Sequence, residues 1–335
     1  MFDNHSILVT GGTGSFGKRF IETMLAKHKP RRVIVFSRDE YKQSVMQARY
    51  THPCMRFFLG DVRDRNRLIQ AMEDVDFVVH AAALKQVPSL EYNPMEAIKT
   101  NVLGTENVIE AALANRVKRV MVLSTDKAAA PVNLYGATKL TAEKLAVAAN
   151  NFAGRRNTRI SVVRYGNVVG SRGSVIPLFQ KLRDENAGEL PITDPNMTRF
   201  LITLQQSVDF VIACFERMWG GETFIPKIPS VTIGQIAEAV APGMAVKTVG
   251  IRPGEKLHEE MCLPDNSWLT LEFDKFFIIK PSFSFRTVED NFKKTVLGEV
   301  SQPVADDFSY NSRDNEHYLS TDELREVIAG AMPFD

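Results

Sequence analysis

The chain has 335 residues, 44% of them hydrophobic, enough for one large domain or two modest ones with a buried core. Its 41 basic and 40 acidic residues are spread along the sequence and leave a net charge of +1, which excludes a global field for gripping nucleic acid or an anionic membrane. Three scattered cysteines (Cys54, Cys214, Cys262) exclude a disulfide framework, and "KLHEE" around His258 lacks the second His at i, i+4 of a zinc helix, so no metal is expected.

No apolar run reaches the roughly 18 residues of a spanning helix. The N-terminus "MFDNHSILVTGG" enters a strand-like run without a signal-peptide pattern, so a soluble cytoplasmic protein is expected. Short β-branched runs then alternate with helical patterns: "SILVTGG", "RRVIVFSR", "MRFFLGDV", "VDFVVHAAA", "VKRVMVLST" and "ISVVRYGNVVG". They are apolar throughout, as strands buried on both faces should be, and predict an α/β, Rossmann-like doubly wound parallel sheet. Helices are expected from Gly17 to about Lys27, about Arg65 to Ala71, Met95 to about Ala114 and Tyr135 to about Asn150. Beyond Gly170 the pattern loosens into loops and short elements, with a further strand and helix from about Phe224 to Val240. Residues 1–170 plus about 200–240 are expected to form the dinucleotide-binding domain, and 171–199 with about 241–335 a smaller C-terminal substrate lobe.

"VTGGTGSFG" follows the first strand and opens the first helix. Gly12, Gly14 and Gly17 satisfy GxGxxG, and Gly11, Gly14 and Gly17 satisfy GxxGxxG, the spacing that lets a backbone approach a pyrophosphate at a helix N-terminus. At the end of the second strand, where an acid would bind the ribose of NAD, stand Ser37 and Arg38, with Asp39 one step late. A hydroxyl and a guanidinium there favour NADP; the competing reading is an NAD enzyme with Asp39 on the ribose and Arg38 in solvent. Asp61 and Val62 could flank the adenine, and Ala81 to Ala83 are small enough to pass a dinucleotide or simply to pack.

"STDKAAAPVNLYGATK" carries Tyr135 and Lys139 at i and i+4, on one helix face. A phenol with a pKa near 10 must fall about three units, or roughly 4 kcal/mol, to serve as a base at neutral pH. One ammonium about 4 Å away at an effective dielectric near 20 supplies about that much. Thr125 is placed to bond the same substrate hydroxyl. Asp126 and Lys127 are either a solvated loop ion pair or a second acid–base pair, and "RPGEK" either a charged turn or a grip on a diphosphate.

Together these residues resemble the extended short-chain dehydrogenase/reductase family of nucleotide-sugar modifying enzymes. "TGGTGSFG", "SRDEYKQ", "GDVRD", "HAAALKQVP", "STDKA", "NLYGATK", "VRYGNVVGSRGSV", "MTRF", "PKIPS" and "IRPGEKLHE", in that order, are similar to its inverting 4,6-dehydratases acting on UDP-N-acetylglucosamine. The resemblance implies permanently held NADP and a sugar oxidised, dehydrated and reduced in one site, opening pseudaminic acid synthesis. It implies Thr125, Tyr135 and Lys139 for oxidation, Asp126 as acid and Lys127 as base for elimination, and substrate contacts at Lys85, Thr125, Asn167, Arg252 and Glu255. Cofactor contacts are implied at Gly11, Thr13, Gly14, Ser15, Phe16 and Gly17, at Ser37, Arg38, Asp39, Glu40, Tyr41 and Lys42, and at Asp61, Val62, Ala82, Tyr135, Lys139 and Val168. Both Asp126 and Lys127 need shifted pKa values, because a cationic Lys accepts no proton and an ionised Asp gives none. Dehydratases of glucose nucleotides carry Glu in place of Lys127, and a retaining, membrane-anchored subgroup carries Met in place of Tyr135. A homo-oligomer, such as a hexamer, is implied as well. A 4-epimerase or reductase on the same scaffold and a non-catalytic NADP-sensing regulator are the other readings, and Lys127 separates the epimerase or reductase from a dehydratase.

Overall fold

In the computed structural model, which describes residues 1–171, 173–283 and 291–331, the first half of the chain alternates strand and helix. β1 (Ser6–Thr10) leads to α1 (Ser15–Lys27), β2 (Arg32–Ser37) to α2 (Glu40–Arg49), and β3 (Met55–Leu59) to α3 (Arg65–Ala71). β4 (Phe77–His80) is followed by α4 (Val87–Tyr92) and by α5 (Pro94–Ala97), which passes through a π-helical stretch at Ile98–Leu103 into α6 (Gly104–Ala114). β5 (Arg119–Leu123), α7 (Leu134–Phe152) and β6 (Arg159–Val163) complete the alternation. The strands pair in parallel in the order β3-β2-β1-β4-β5-β6, the doubly wound Rossmann-like arrangement expected. The order of growth reverses between β1 and β4, where the carboxyl ends leave a crevice.

Side-chain alternation divides the core between the two faces of this sheet. Ile7, Val9, Val79, Met121 and Leu123 pack with Phe20 and Met24 of α1. Leu8, Val78, Val120 and Val122 pack on the other face with Leu68 of α3, Val108 of α6 and Ala146 of α7. β3 departs from the expectation of burial on both faces: it lies at the sheet edge, and Leu59 is exposed.

The run "ISVVRYGNVVG" is two strands rather than one. Past β6 the Arg164 N–H still donates to the Phe224 carbonyl at 2.9 Å and the Tyr165 carbonyl accepts the Asp126 N–H at 3.1 Å, while the Arg164 side chain turns to the Glu143 carboxylate on α7 and donates to the Met261 carbonyl at 2.6 Å. The next strand, β7 (Asn167–Val168), pairs elsewhere, after which come α8 (Val175–Asp184), β8 (Glu189–Ile192), β9 (Thr198–Ile202) and α9 (Leu204–Arg217). β10 (Thr223–Pro226) joins the main sheet beside β6, whereas β11 (Ser230–Thr232) joins β9 and β7 and leads into α10 (Ile233–Val240). Helix α9 packs its Val208, Val211 and Phe215 into the α1 face of the core.

The remainder holds β12 (Ala245–Thr248), β13 (Glu260–Cys262), β14 (Thr270–Glu272), β15 (Phe276–Ile279), β16 (Gln302–Pro303), β17 (Tyr310–Asn311) and α11 (Thr321–Gly330). β15, β14 and β16 extend the main sheet antiparallel from β10, although they fall in the stretch assigned from sequence to the smaller lobe. Their apolar residues, Phe276, Phe277 and Leu271, complete the same core as Phe224 of β10, which local patterning cannot show. Arg172 of "VRYGNVVGSRGSV", and residues 284–290 and 332–335 of the expected lobe, lie outside the described residues.

Below the crevice, His80 is fully buried, with Nδ1 2.7 Å from Thr10 Oγ1 and Nε2 3.0 Å from Thr105 Oγ1. Burial, reinforced by the charge of Lys139, lowers its pKa to about 3. The unfolded chain therefore binds a proton near pH 6.5 that the folded chain refuses, and stability falls by about 1.4 kcal/mol per pH unit between about 6.5 and 3. Denaturant titrations at neutral pH and at about pH 5 should show a smaller loss for His80→Gln than for the parent, whatever their difference at neutral pH.

Candidate active site

A cavity of about 530 Å³ opens at the carboxyl ends of β1, β4 and β5. One wall is the glycine loop. Gly11 has φ +66° and lies so close to Ala82 that a Cβ there would sit 2.9 Å from the Ala82 Cα and N, so only glycine fits. Helix α1 begins with Gly14 at its N-cap and no side-chain cap, so its first N–H groups border a cavity lined by Gly14, Ser15, Phe16 and Gly17. An uncapped helix N-terminus beside a glycine cradle fits the diphosphate of a dinucleotide.

The residues expected around the cofactor divide in two. Thr13, Lys42 and Val168 line the cavity, as do Ala81 and Ala83 on either side of Ala82. Ser37 is buried and committed to the protein, its Oγ 2.9 Å from Thr13 Oγ1 and accepting the Asp39 N–H at 3.3 Å. Asp39 caps α2 by accepting the Lys42 N–H at 2.9 Å, while Glu40 and Tyr41 stand exposed on the first turn. Arg38 is exposed and 3.7 Å from Asp61, which Arg63 also holds at 2.7 Å. Val62 is core packing beneath α6.

The opposite wall carries the groups expected to react. Continuing the alternation of β5, Ser124 turns to Glu143 on α7, and Thr125 begins a short 3-10 turn at Asp126–Ala128. Thr125 Oγ1 donates to Asp126 Oδ1 at 2.8 Å. Asp126 is completely buried, and its Oδ2 has no partner among the described residues. Lys127 Nζ lies 3.1 Å from Asp126 Oδ1, 3.1 Å from Glu259 Oε1 and 3.5 Å from Asn167 Oδ1.

Burial raises the Asp126 carboxyl above its ordinary range, and Glu259 adds to this against the opposing pull of Lys127. Burial alone would lower Lys127, but Asp126 and Glu259 outweigh it and the ammonium is held more firmly than usual. Glu259 is likewise penalised by burial, yet Lys127 and Arg199 keep it lowered. The three directions favour a charged Lys127 and an ionised Glu259, with Asp126 holding a proton more readily than an ordinary carboxyl. The acid shift expected for Asp126 is present, whereas the lowering expected for Lys127 is reversed, because a second carboxylate converges on it.

Tyr135 and Lys139 stand on the first turns of α7, whose N-cap Asn133 accepts the Gly136 N–H at 2.8 Å. A side chain at Gly136 would collide with the Lys127 carbonyl, so this glycine lets the helix seat directly on the Asp126–Lys127 turn. Both Tyr135 and Lys139 line the cavity. Burial moves the Tyr135 phenol up to about 12; Lys127 and the Thr125 hydroxyl act to lower it, and Asp126 to raise it. Lys139 donates to the Leu123 carbonyl, and burial brings it down to about 8 against the pull of Glu143. The depressed phenol expected from the Tyr-Lys spacing is thus not reached by the chain's own groups, since Lys139 is aimed at the strand.

Asn167 and Lys85 also line the cavity, and burial together with Lys127 lowers the Lys85 pKa. Arg252 and Glu255 do not line it. Arg252 is exposed, and Glu255 accepts from Thr193 at 3.4 Å. Their turn is nonetheless docked on the site: Asn133 Nδ2 donates to the Gly254 carbonyl at 2.7 Å, and Lys256 Nζ to the Ala129 carbonyl at 2.6 Å.

A family model described as polysaccharide biosynthesis protein matches residues 7–281. The chain belongs to that family. Among relatives of this chain is the UDP-N-acetylglucosamine 4,6-dehydratase (inverting) of Campylobacter jejuni, 57% identical over 328 residues and 98% of each chain. A UDP-glucose 4-epimerase of Rickettsia bellii is 47% identical over 98% of this chain and 96% of its own. The X-ray structure of Pen from Bacillus thuringiensis matches with a TM-score of 0.87 at 38% identity, over 98% of both chains.

Among the described residues no helix is long and apolar enough to cross a membrane. Sequence reading missed Glu259 and Arg199 as members of the site. Both lie inside motifs quoted for the resemblance, but neither has a spacing that ties it to Asp126 and Lys127, so only the resemblance could have flagged them.

Proposed function

We propose that this protein is a UDP-N-acetylglucosamine 4,6-dehydratase that inverts carbon 5 and works with bound NADP. The observation that carries the reading is the presence of two acid–base sets, Thr125–Tyr135–Lys139 and Asp126–Lys127, in one cavity beside a dinucleotide cradle. An enzyme that only oxidised and reduced carbon 4 would need the first set alone. The inverting relative supports the assignment at 57% identity.

Tyr135 takes the proton of the carbon 4 hydroxyl, oriented by Thr125, as hydride leaves that carbon. A nicotinamide dinucleotide, which the glycine loop Gly11–Gly17 would hold, would supply the acceptor and later donor of that hydride. The ketone at carbon 4 acidifies the carbon 5 proton; Lys127 removes it and Asp126 protonates the departing carbon 6 hydroxyl, each contributing about 10²- to 10⁴-fold. Asp126 is suited to this because burial raises its affinity for a proton. The resemblance also supports pseudaminic acid synthesis as the destination of the product, and a cytoplasmic homo-oligomer.

The preference for NADP rests on Arg38, the exposed guanidinium at the end of β2. Arg38→Ala should weaken NADP about 10- to 100-fold, as expected for one charge-assisted hydrogen bond, and leave NAD nearly unchanged. Fluorescence titration of the two dinucleotides measures this without turnover; equal losses for both would count against NADP.

The 47% identity to a 4-epimerase favours a second reading, in which Asp126–Lys127 plays no chemical part. A proton NMR time course with UDP-N-acetylglucosamine in deuterated water separates the two. A 4-keto-6-deoxy sugar with deuterium at carbon 5 and inverted configuration is expected. Retained configuration would overturn the stereochemistry, and a 4-epimer with no water loss would overturn the dehydratase.

A further inference from the structure

Two carboxylates grip Lys127, and the chemistry above uses one of them. Glu259, just before β13, is 2% exposed and places Oε1 3.1 Å from Lys127 Nζ, the same separation as Asp126 Oδ1 on the other side. Its Oε2 has no hydrogen-bond partner among the described residues. Its backbone is fixed from a distant part of the chain: the Glu259 N–H donates to Ser312 Oγ at 2.9 Å, and the Ser312 N–H donates to the Glu259 carbonyl at 2.8 Å. The cations facing Glu259 are Lys127, Arg199 at 3.7 Å and Lys256; those facing Lys127 are Arg199 and Lys85. A proton-abstracting amine cannot work while it is an ammonium between two acids.

We infer that Glu259 is a positioning residue for the elimination, holding Lys127 against Asp126 and taking its ammonium proton so that the Nζ lone pair can meet carbon 5. This rests on the dehydratase reading. One N–H bond of Lys127 breaks and one O–H bond forms on Glu259, a transfer that runs against the resting preference of both groups and is completed only as Nζ takes the carbon 5 proton. The C–H pair becomes the carbon 5–carbon 6 double bond, and the carbon 6 hydroxyl leaves with its bonding pair and the proton of Asp126, as water. Across the two 3.1 Å contacts the proton gained by Lys127 returns to Asp126, and that on Glu259 returns to Lys127. No residue is oxidised or reduced.

The test compares Glu259→Gln, Glu259→Asp, Lys127→Ala and the double variant Lys127→Ala/Glu259→Gln, each checked for folding by thermal unfolding. The wild type, followed by NMR on UDP-N-acetylglucosamine, tests the dehydratase reading by itself. Given that activity, Glu259→Gln should lower kcat about 10²-fold with KM little changed, and absorbance of the reduced nicotinamide should persist because oxidation outruns elimination. Glu259→Asp should recover part of the rate, and the double variant should be no slower than Lys127→Ala alone. Independent, multiplying losses in the double variant, or a Gln variant as fast as wild type, would overturn the inference. If the Gln variants do not fold, the Asp variant decides: a shifted pH profile with unchanged KM supports the role, and a wild-type profile and rate refute it.

Discussion

Replacing Lys127 with Ala stops water loss while leaving oxidation at carbon 4, so substrate is consumed only until the bound cofactor is reduced. The expected drop in dehydration is about 10²- to 10⁴-fold, the range for loss of a positioned base. Removing the ammonium also leaves two buried carboxylates without their shared cation, although Glu259 keeps Arg199 at 3.7 Å and burial already raises the proton affinity of Asp126. The variant should therefore fold, and carbon 5 of recovered substrate should carry no deuterium. Dehydration at the wild-type rate would return Asp126–Lys127 to the status of a structural ion pair and favour an epimerase.

Tyr135→Phe should fail one step earlier. In the proposed mechanism the phenol takes the carbon 4 hydroxyl proton, and losing it should cost about 10²- to 10⁴-fold in oxidation itself. No reduced nicotinamide should then appear on mixing with substrate, in contrast to Lys127→Ala, where it should accumulate. Single-turnover absorbance on the two variants side by side reads the order of the steps. Stability should change little, because the ring stays and only a hydroxyl in contact with Thr125 is removed. Reduced cofactor forming at the normal rate in Tyr135→Phe would move the proton transfer to another group.

Much of the architecture was legible because each parallel strand is a short apolar run buried on both faces, and because the glycine loop must follow the first of them. The strands that extend the sheet beyond β10 were not legible. β14 and β15 are three- and four-residue segments, and they join β10 only because Phe276, Phe277 and Leu271 fill the core around Phe224. The break between β6 and β7 was equally hidden, since β7 pairs with β9, some thirty residues further along the chain.

At the site, the sequence alone determined which groups could react: a Tyr and a Lys one helical turn apart, and an Asp-Lys pair on the turn just after a strand. Those are short-range relations, set by strand ends and helix periodicity. Only the tertiary structure decided the state in which the groups are held. Lys127 meets Glu259 from a distant segment and keeps its proton, Lys139 turns to the Leu123 carbonyl, and Tyr135 is raised by burial rather than lowered by its neighbour. Proton affinity depends on desolvation and on charges that converge through space, and neither is written in the spacing of residues along the chain.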